Sequence, residues 1–169
     1  SQPMARDVEF HVRVVDGGQA SGLVSRLFLG DSLQLAGPFG DACFRCNQDR
    51  PLLALAASTG QAPIKSIVDG LLASGDQRAV RVFAFAREIQ HLYLDRYFVE
   101  LAVRHSNLGY RSIVTRATQQ GATPQTLIAS CISQLRNWSV HIADPAGFVT
   151  SMSEMVRELG CDDILADRF

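Results

Sequence analysis

Ser58-Thr59-Gly60, followed by Gln61-Ala62-Pro63, is the stretch best equipped for chemistry. An apolar run at 52–56 ends in it and an amphipathic segment leaves it. A buried strand, a tight turn and a helix start in succession aim backbone N–H groups and the positive helix end at one point, which suits a phosphate. The Thr59 hydroxyl can donate to a phosphate oxygen, or serve as a helix N-cap that needs no ligand. Arg87 follows a second apolar run, Thr115 and Arg116 follow a third, and Ala143-Asp144-Pro145 follows a fourth.

Other chemistries lack support. Cysteines stand at 43, 46, 131 and 161. Only Cys43 and Cys46 have metal or redox spacing, with no second pair or His cluster to complete a zinc site. They read as small apolar side chains near an edge strand. His11, His91, His105 and His141 have no metal partner at ligand spacing and read as surface or half-buried histidines. No Ser-His-Asp set, catalytic carboxylate pair or Walker loop stands out.

The elements that must position these residues fall into two stretches. Residues 8–15 alternate, with Val8, Phe10, Val12 and Val14 on one face, which predicts a half-buried antiparallel strand. A short helix over 20–27 and a short strand over 32–35 follow. From Pro51 the pattern becomes β-α alternation. Strands are predicted at 52–56, 79–85, 110–115, 139–143 and 163–166, and helices at 62–73, 92–104, 124–135 and 147–159. The second helix carries Tyr93 and Tyr97 on its packing face. The fold class is therefore α/β: a five-stranded parallel sheet of order 3-2-1-4-5 with helices on both faces, preceded by a partial antiparallel β-barrel. Ligands of such sheets bind beyond the carboxyl ends of the strands, where the turns at 58–63 and 143–147 belong.

Composition agrees with a globular domain: 47% hydrophobic, 20% charged, in 169 residues. A net charge of −1 gives no basic field for nucleic acid or anionic lipid. No apolar run reaches the roughly 20 residues of a membrane span. Sparse cysteines suit a reducing cytoplasm.

Read together, these strings resemble the ferredoxin–NADP reductase superfamily, and within it flavin reductases and oxygenase reductase components. Gly17-Gly18-Gln19-Ala20-Ser21 resembles the G-x-x-S/T turn that holds the flavin diphosphate, which implicates Gly18 and Ser21. Leu29-Gly30-Asp31 with residues 36–40 resembles the run closing the flavin barrel. Residues 58–63 resemble the nicotinamide-nucleotide loop. Residues 87–93 resemble a stretch whose Arg lies near the adenosine half. Val114-Thr115-Arg116 resembles the string that meets the adenosine ribose or its phosphate; Arg116 suits a 2′-phosphate, or is a solvated strand-end arginine. Ala143-Asp144-Pro145-Ala146-Gly147-Phe148 resembles the C/A-G-P-P-x-M segment, and Phe169 an ending whose ring stacks on flavin. The resemblance implies hydride transfer from NADH or NADPH to FAD or FMN, then electron transfer to an acceptor protein.

It divides the chain into a remnant of a flavin-binding barrel at 1–48 and a nucleotide-binding α/β domain at 49–169. The family's R-x-Y/F-S motif is absent, so the chain reads as part of a longer reductase or a shortened relative. Flavin is expected in the complete protein and not to be retained by this chain, which alone should turn over little. The barrel edge predicts a homodimer by strand pairing.

Three departures stand where the family has glycine: Ala57, Ser58 and Asp144. A carboxylate 4–6 Å from a pyrophosphate repels it by about 3–4 kcal/mol at an effective dielectric near 20, before salt screening. Alternatively Asp144 points away and caps the helix near Gly147. These departures support a second function, a non-catalytic interaction or regulatory module on the same fold.

Overall fold

A computed structural model describes residues 7–37, 43, 49–116, 124–132 and 134–167. Five strands form one parallel sheet: β1 Leu52–Ala57, β2 Val80–Ala86, β3 Leu108–Val114, β4 Ser139–Ala143 and β5 Asp163–Asp167. Their order is β3-β2-β1-β4-β5, as the sequence predicts. Leu52 pairs with Val80 of β2 and with Ser139 of β4, and β5 enters beside β4 at Asp163. Five helices accompany them: α1 Gln19–Val24, α2 Gln61–Ala73, α3 Asp95–Arg104, α4 Pro124–Cys131 and α5 Ala146–Glu158.

β1 is buried at every position, and its alternation divides the core. Leu53, Leu55 and Ala57 point to one face, where Ile128 of α4 and Val149, Met152 and Val156 of α5 pack. Leu52, Ala54 and Ala56 point to the other, against Ile64, Val68 and Leu71 of α2 and Phe98 of α3. A central parallel strand covered on both faces has no polar side, hence the unbroken apolar run.

The partial barrel is not found among the described residues. Residues 8–15 and 32–35 form no strand among the described residues. A strand needs a ladder, and alternation supplies only an apolar face. Here Val8, Phe10, Val12 and Val14 stand 42–67% exposed. The short helix predicted over 20–27 is present as α1.

Two helix bounds also move. α3 begins at Asp95 and not at 92, because a 3₁₀ turn at Ile89–His91 is followed by non-helical Leu92 and Leu94. α4 ends at Cys131 instead of 135: Leu135 is fully buried and its N–H donates to the Leu159 carbonyl beyond α5 (3.1 Å). Cys43 is exposed and free, and Cys46 lies outside the described residues. No helix among the described residues is long and apolar enough to cross a membrane.

Candidate functional site

At the carboxyl edge of the sheet the chain leaves β1 through a 3₁₀ turn, Ser58–Gly60, directly into α2. Ser58 holds φ of +50° and Asp144, immediately after β4, holds +47°. This left-handed region costs an L-residue about 1–2 kcal/mol, less for aspartate, and costs glycine almost nothing. Two of the three positions where the resemblance expects glycine thus carry the backbone conformation that favours it.

The two turns are locked together. Thr59 Oγ1 donates to Asp144 Oδ2 at 2.9 Å, and the aspartate is only 7% exposed. Asp144 N–H donates to the Asp167 carbonyl at the end of β5. Gly60 fits flush between them, with no space for a side chain toward Ala143. Gln61 is fully buried, and its amide donates to the Ser58 and His91 carbonyls at 3.2 and 3.3 Å. It therefore ties the β1 turn to the β2 turn, while its Oε1 stays buried without a partner.

Two capping expectations are corrected. Asp144 does not cap α5: the N-cap is Pro145, without a side-chain cap bond, and the carboxylate turns back to Thr59. Thr59 does not cap α2 either, since Gly60 is the N-cap and the hydroxyl is committed to Asp144.

A cleft of about 970 Å³ opens beside these turns. Ser58, Thr59, Arg87, Thr115 and Pro145 line it, so the structure brings five sequence-predicted site residues to one cavity. Gly60, Gln61, Ala143 and Asp144 are buried and do not line it, and Ala62 and Pro63 occupy the first turn of α2. Arg87 is exposed and forms no ion pair among the described residues. The Arg116 guanidinium is instead paired with Glu88, which also accepts from Gln90 at 2.7 Å. Gly18 and Ser21 stand outside the lining. The Ser21 hydroxyl is 5% exposed and bonds back to Val15 and Gly18, so it braces its own turn. Phe169 lies outside the described residues.

Sequence reasoning missed His11 and Tyr93, which line the cleft. Tyr93 precedes α3 instead of packing within it, and its hydroxyl meets His11 Nδ1 at 2.9 Å. His11 Nε2 is held in turn by Glu9. Burial, then the negative charges of Asp144 and Glu9, push the Tyr93 phenol up to about 12. The available signal was position: Tyr93 falls in a β-α connection at the ligand edge. Tyr97 does pack, edge-on against Phe98, as expected.

No family model matches the chain. The reductase component of phenol 2-monooxygenase from Pseudomonas sp. (strain CF600) is 38% identical over 112 residues, 66% of this chain and 32% of that protein. The ferredoxin–NAD(P)+ reductase component of the naphthalene 1,2-dioxygenase system of Pseudomonas putida is 29% identical over 174 residues, 99% of this chain and 53% of that protein. The chain's homologues are ferredoxin–NAD(P)+ reductase components of oxygenase systems. It spans about half the length, or less, of these curated relatives. Its fold is also that of the ferredoxin NADP+ reductase of Neisseria gonorrhoeae with bound FAD and NADP, at TM-score 0.73 and 16% identity, covering 91% of this chain and 71% of that one.

A nicotinamide nucleotide fits the described residues. The cleft is of ligand size, an exposed arginine lines it, and Ser58 and Thr59 of the turn that leads into α2 stand at its wall.

Proposed function

We propose that this chain is the pyridine-nucleotide-binding part of a flavin-dependent NAD(P)H oxidoreductase, with its nucleotide domain at 49–169 and the end of a flavin barrel at 1–48. The observation that carries this reading is the cleft at the carboxyl edge, lined by Ser58, Thr59, Arg87, Thr115 and Pro145. The reductase relatives favour it over the non-catalytic module. When bound, FAD or FMN would supply the chemistry of hydride acceptance from NADH or NADPH and of onward electron transfer to an acceptor protein, an oxygenase component or a ferredoxin.

In this reading the chain's own residues bind and orient. The 58–60 turn holds the diphosphate by its N–H groups and the positive end of α2, while Gln61, Ala62 and Pro63 form the helix start behind it, Pro63 having no N–H of its own. Arg87 supplies a charged donor to the adenosine half, and Thr115 and Arg116 meet its ribose. Pro145 walls the nicotinamide side, with Ala143 and Asp144 buried behind it. The turn at Gly18 and Ser21 would hold the flavin diphosphate, and the family resemblance assigns Phe169 to the flavin ring. The free cysteines Cys43, Cys131 and Cys161 suit a cytoplasmic setting. The exposed row Val8, Phe10, Val12 and Val14 suits a homodimer in which a second copy covers it.

Calorimetric titration with NADH and NADPH tests the reading. Saturable binding of one of them is expected, weakened about tenfold in Arg87→Ala through loss of a charge-assisted contact. No saturable binding of either nucleotide would refute it.

A further inference from the structure

A hydroxyl has one proton to give. Thr59 gives its proton to Asp144 Oδ2 at 2.9 Å, so Thr59 has no donor left for a phosphate in the cleft that it lines. A phosphate oxygen that hydrogen-bonded Thr59 Oγ1 would lie within about 6 Å of the Asp144 carboxylate, the sum of two hydrogen-bond lengths. Such an anion meets a fixed like charge held in a buried setting, where solvent screens it weakly. The carboxylate cannot swing clear without breaking this bond. Its backbone is fixed from both sides, by the Asp144 N–H to the Asp167 carbonyl and by Gly60 packed against its Cβ.

We propose that Asp144 is a specificity-determining residue of this turn. By claiming the Thr59 hydroxyl and opposing a second negative charge, it sets a weak hold on the diphosphate of a nicotinamide nucleotide. The proposal rests on the nucleotide-binding reading above. Its consequence is graded. Asp144→Asn keeps the side-chain volume, the tolerance of positive φ and an acceptor for Thr59, and replaces the charge with a neutral amide. Asp144→Gly removes the charge and also releases the Thr59 proton.

The test is calorimetric titration of the parent chain and both variants with ADP-ribose, which carries the diphosphate and has no redox chemistry. Affinity should rise about fivefold in Asp144→Asn and about tenfold or more in Asp144→Gly. The advantage of Asp144→Asn over the parent should narrow only partly at about 1 M salt, because a charge held in a buried setting is screened less than an exposed one. Melting curves establish that each variant is folded, and Asp144→Asn decides the matter if Asp144→Gly is not. Equal or weaker binding by Asp144→Asn overturns the role of Asp144 while leaving nucleotide binding intact. Failure of all three proteins to bind ADP-ribose, NADH and NADPH overturns the nucleotide reading itself, and this inference with it.

Discussion

Gly60 joins the phosphate turn to the sheet, and the space around it fixes the sign of a substitution. A methyl group there would lie 2.3 Å from the Ala143 carbonyl oxygen, 2.6 Å from its carbon and 2.9 Å from Asp144 Cβ. Ordinary contact needs about 3.4 Å or more, so the helix start must retreat from the end of β4 by about 1 Å. Neither partner is flexible: Ala143 sits in the sheet ladder, and Asp144 is tied to Thr59 and Asp167. Gly60 has helical φ and ψ of −59° and −13°, where alanine is normally stabilising by about 0.5–1 kcal/mol. Overpacking costs about 1–3 kcal/mol, so Gly60→Ala should destabilise by about 1–2 kcal/mol net. In a domain of this size that lowers Tm by about 2–8 °C. Gly147 is the control: it lies in the first turn of α5 with nothing within 4 Å of an added Cβ. Gly147→Ala should therefore raise stability by about 0.5–1 kcal/mol. Urea unfolding of both variants reads the two signs. A neutral or stabilised Gly60→Ala would refute the close approach of α2 to β4.

Ser58→Gly should raise stability by about 1 kcal/mol, because φ of +50° is strained for serine; a lower urea midpoint would contradict this. Asp69 is buried and accepts from Lys65 Nζ at 2.9 Å and from the Tyr97 hydroxyl. Asp69→Ala should cost about 3 kcal/mol by leaving an ammonium and a phenol without their acceptor, and Tyr97→Phe about 1 kcal/mol. The chain has 3 tyrosines, and burial raises all of them. Hydrogen bonds to Asp69 and Asp95 raise Tyr97 and Tyr110 further. Each folded-state phenol keeps its proton above the ordinary value of 10, so this contribution to stability is complete below pH 10 and is lost as pH rises through 12. Phenolate absorbance should be nearly absent at pH 10 in the folded protein and appear with unfolding; half-titration near pH 10 while folded would contradict the assignment. Glu88→Ala should free Arg116 and shift preference toward NADPH over NADH by about 2–5-fold, read by competitive titration; an unchanged ratio removes Arg116 from 2′-phosphate selection.

The sheet was legible because each strand carries its own instruction. Residues 52–57 are apolar throughout, as a strand covered on both faces must be, and β4 runs at Ser139–Ala143 as its pattern predicts. The same reasoning misled at 8–15. Alternation there specifies an apolar face but not the neighbour that would make it a strand. The start of α3 was misplaced for a local reason: Leu92 and Tyr93 fit a helical period, yet Leu92 takes φ and ψ of −88° and 58°. Periodicity reads side chains, and the 3₁₀ turn that interrupts it is a backbone event.

At the site, residue types were legible and their pairing was not. Thr59 and Asp144 lie 85 positions apart, and His11 and Tyr93 lie 82 apart. Each is half of a contact that only the assembled sheet edge brings together. Asp144 had two readings in the sequence, repelling a ligand or capping a helix. The structure gives it another partner, the Thr59 hydroxyl, which the turn would otherwise offer to a ligand. Ser58 and Asp144 keep left-handed backbone with side chains that make it costly. The turn has thus preserved a glycine-like path while changing what lines it. A backbone held against local preference on both sides of one hydrogen bond requires that the surrounding sheet edge fix it.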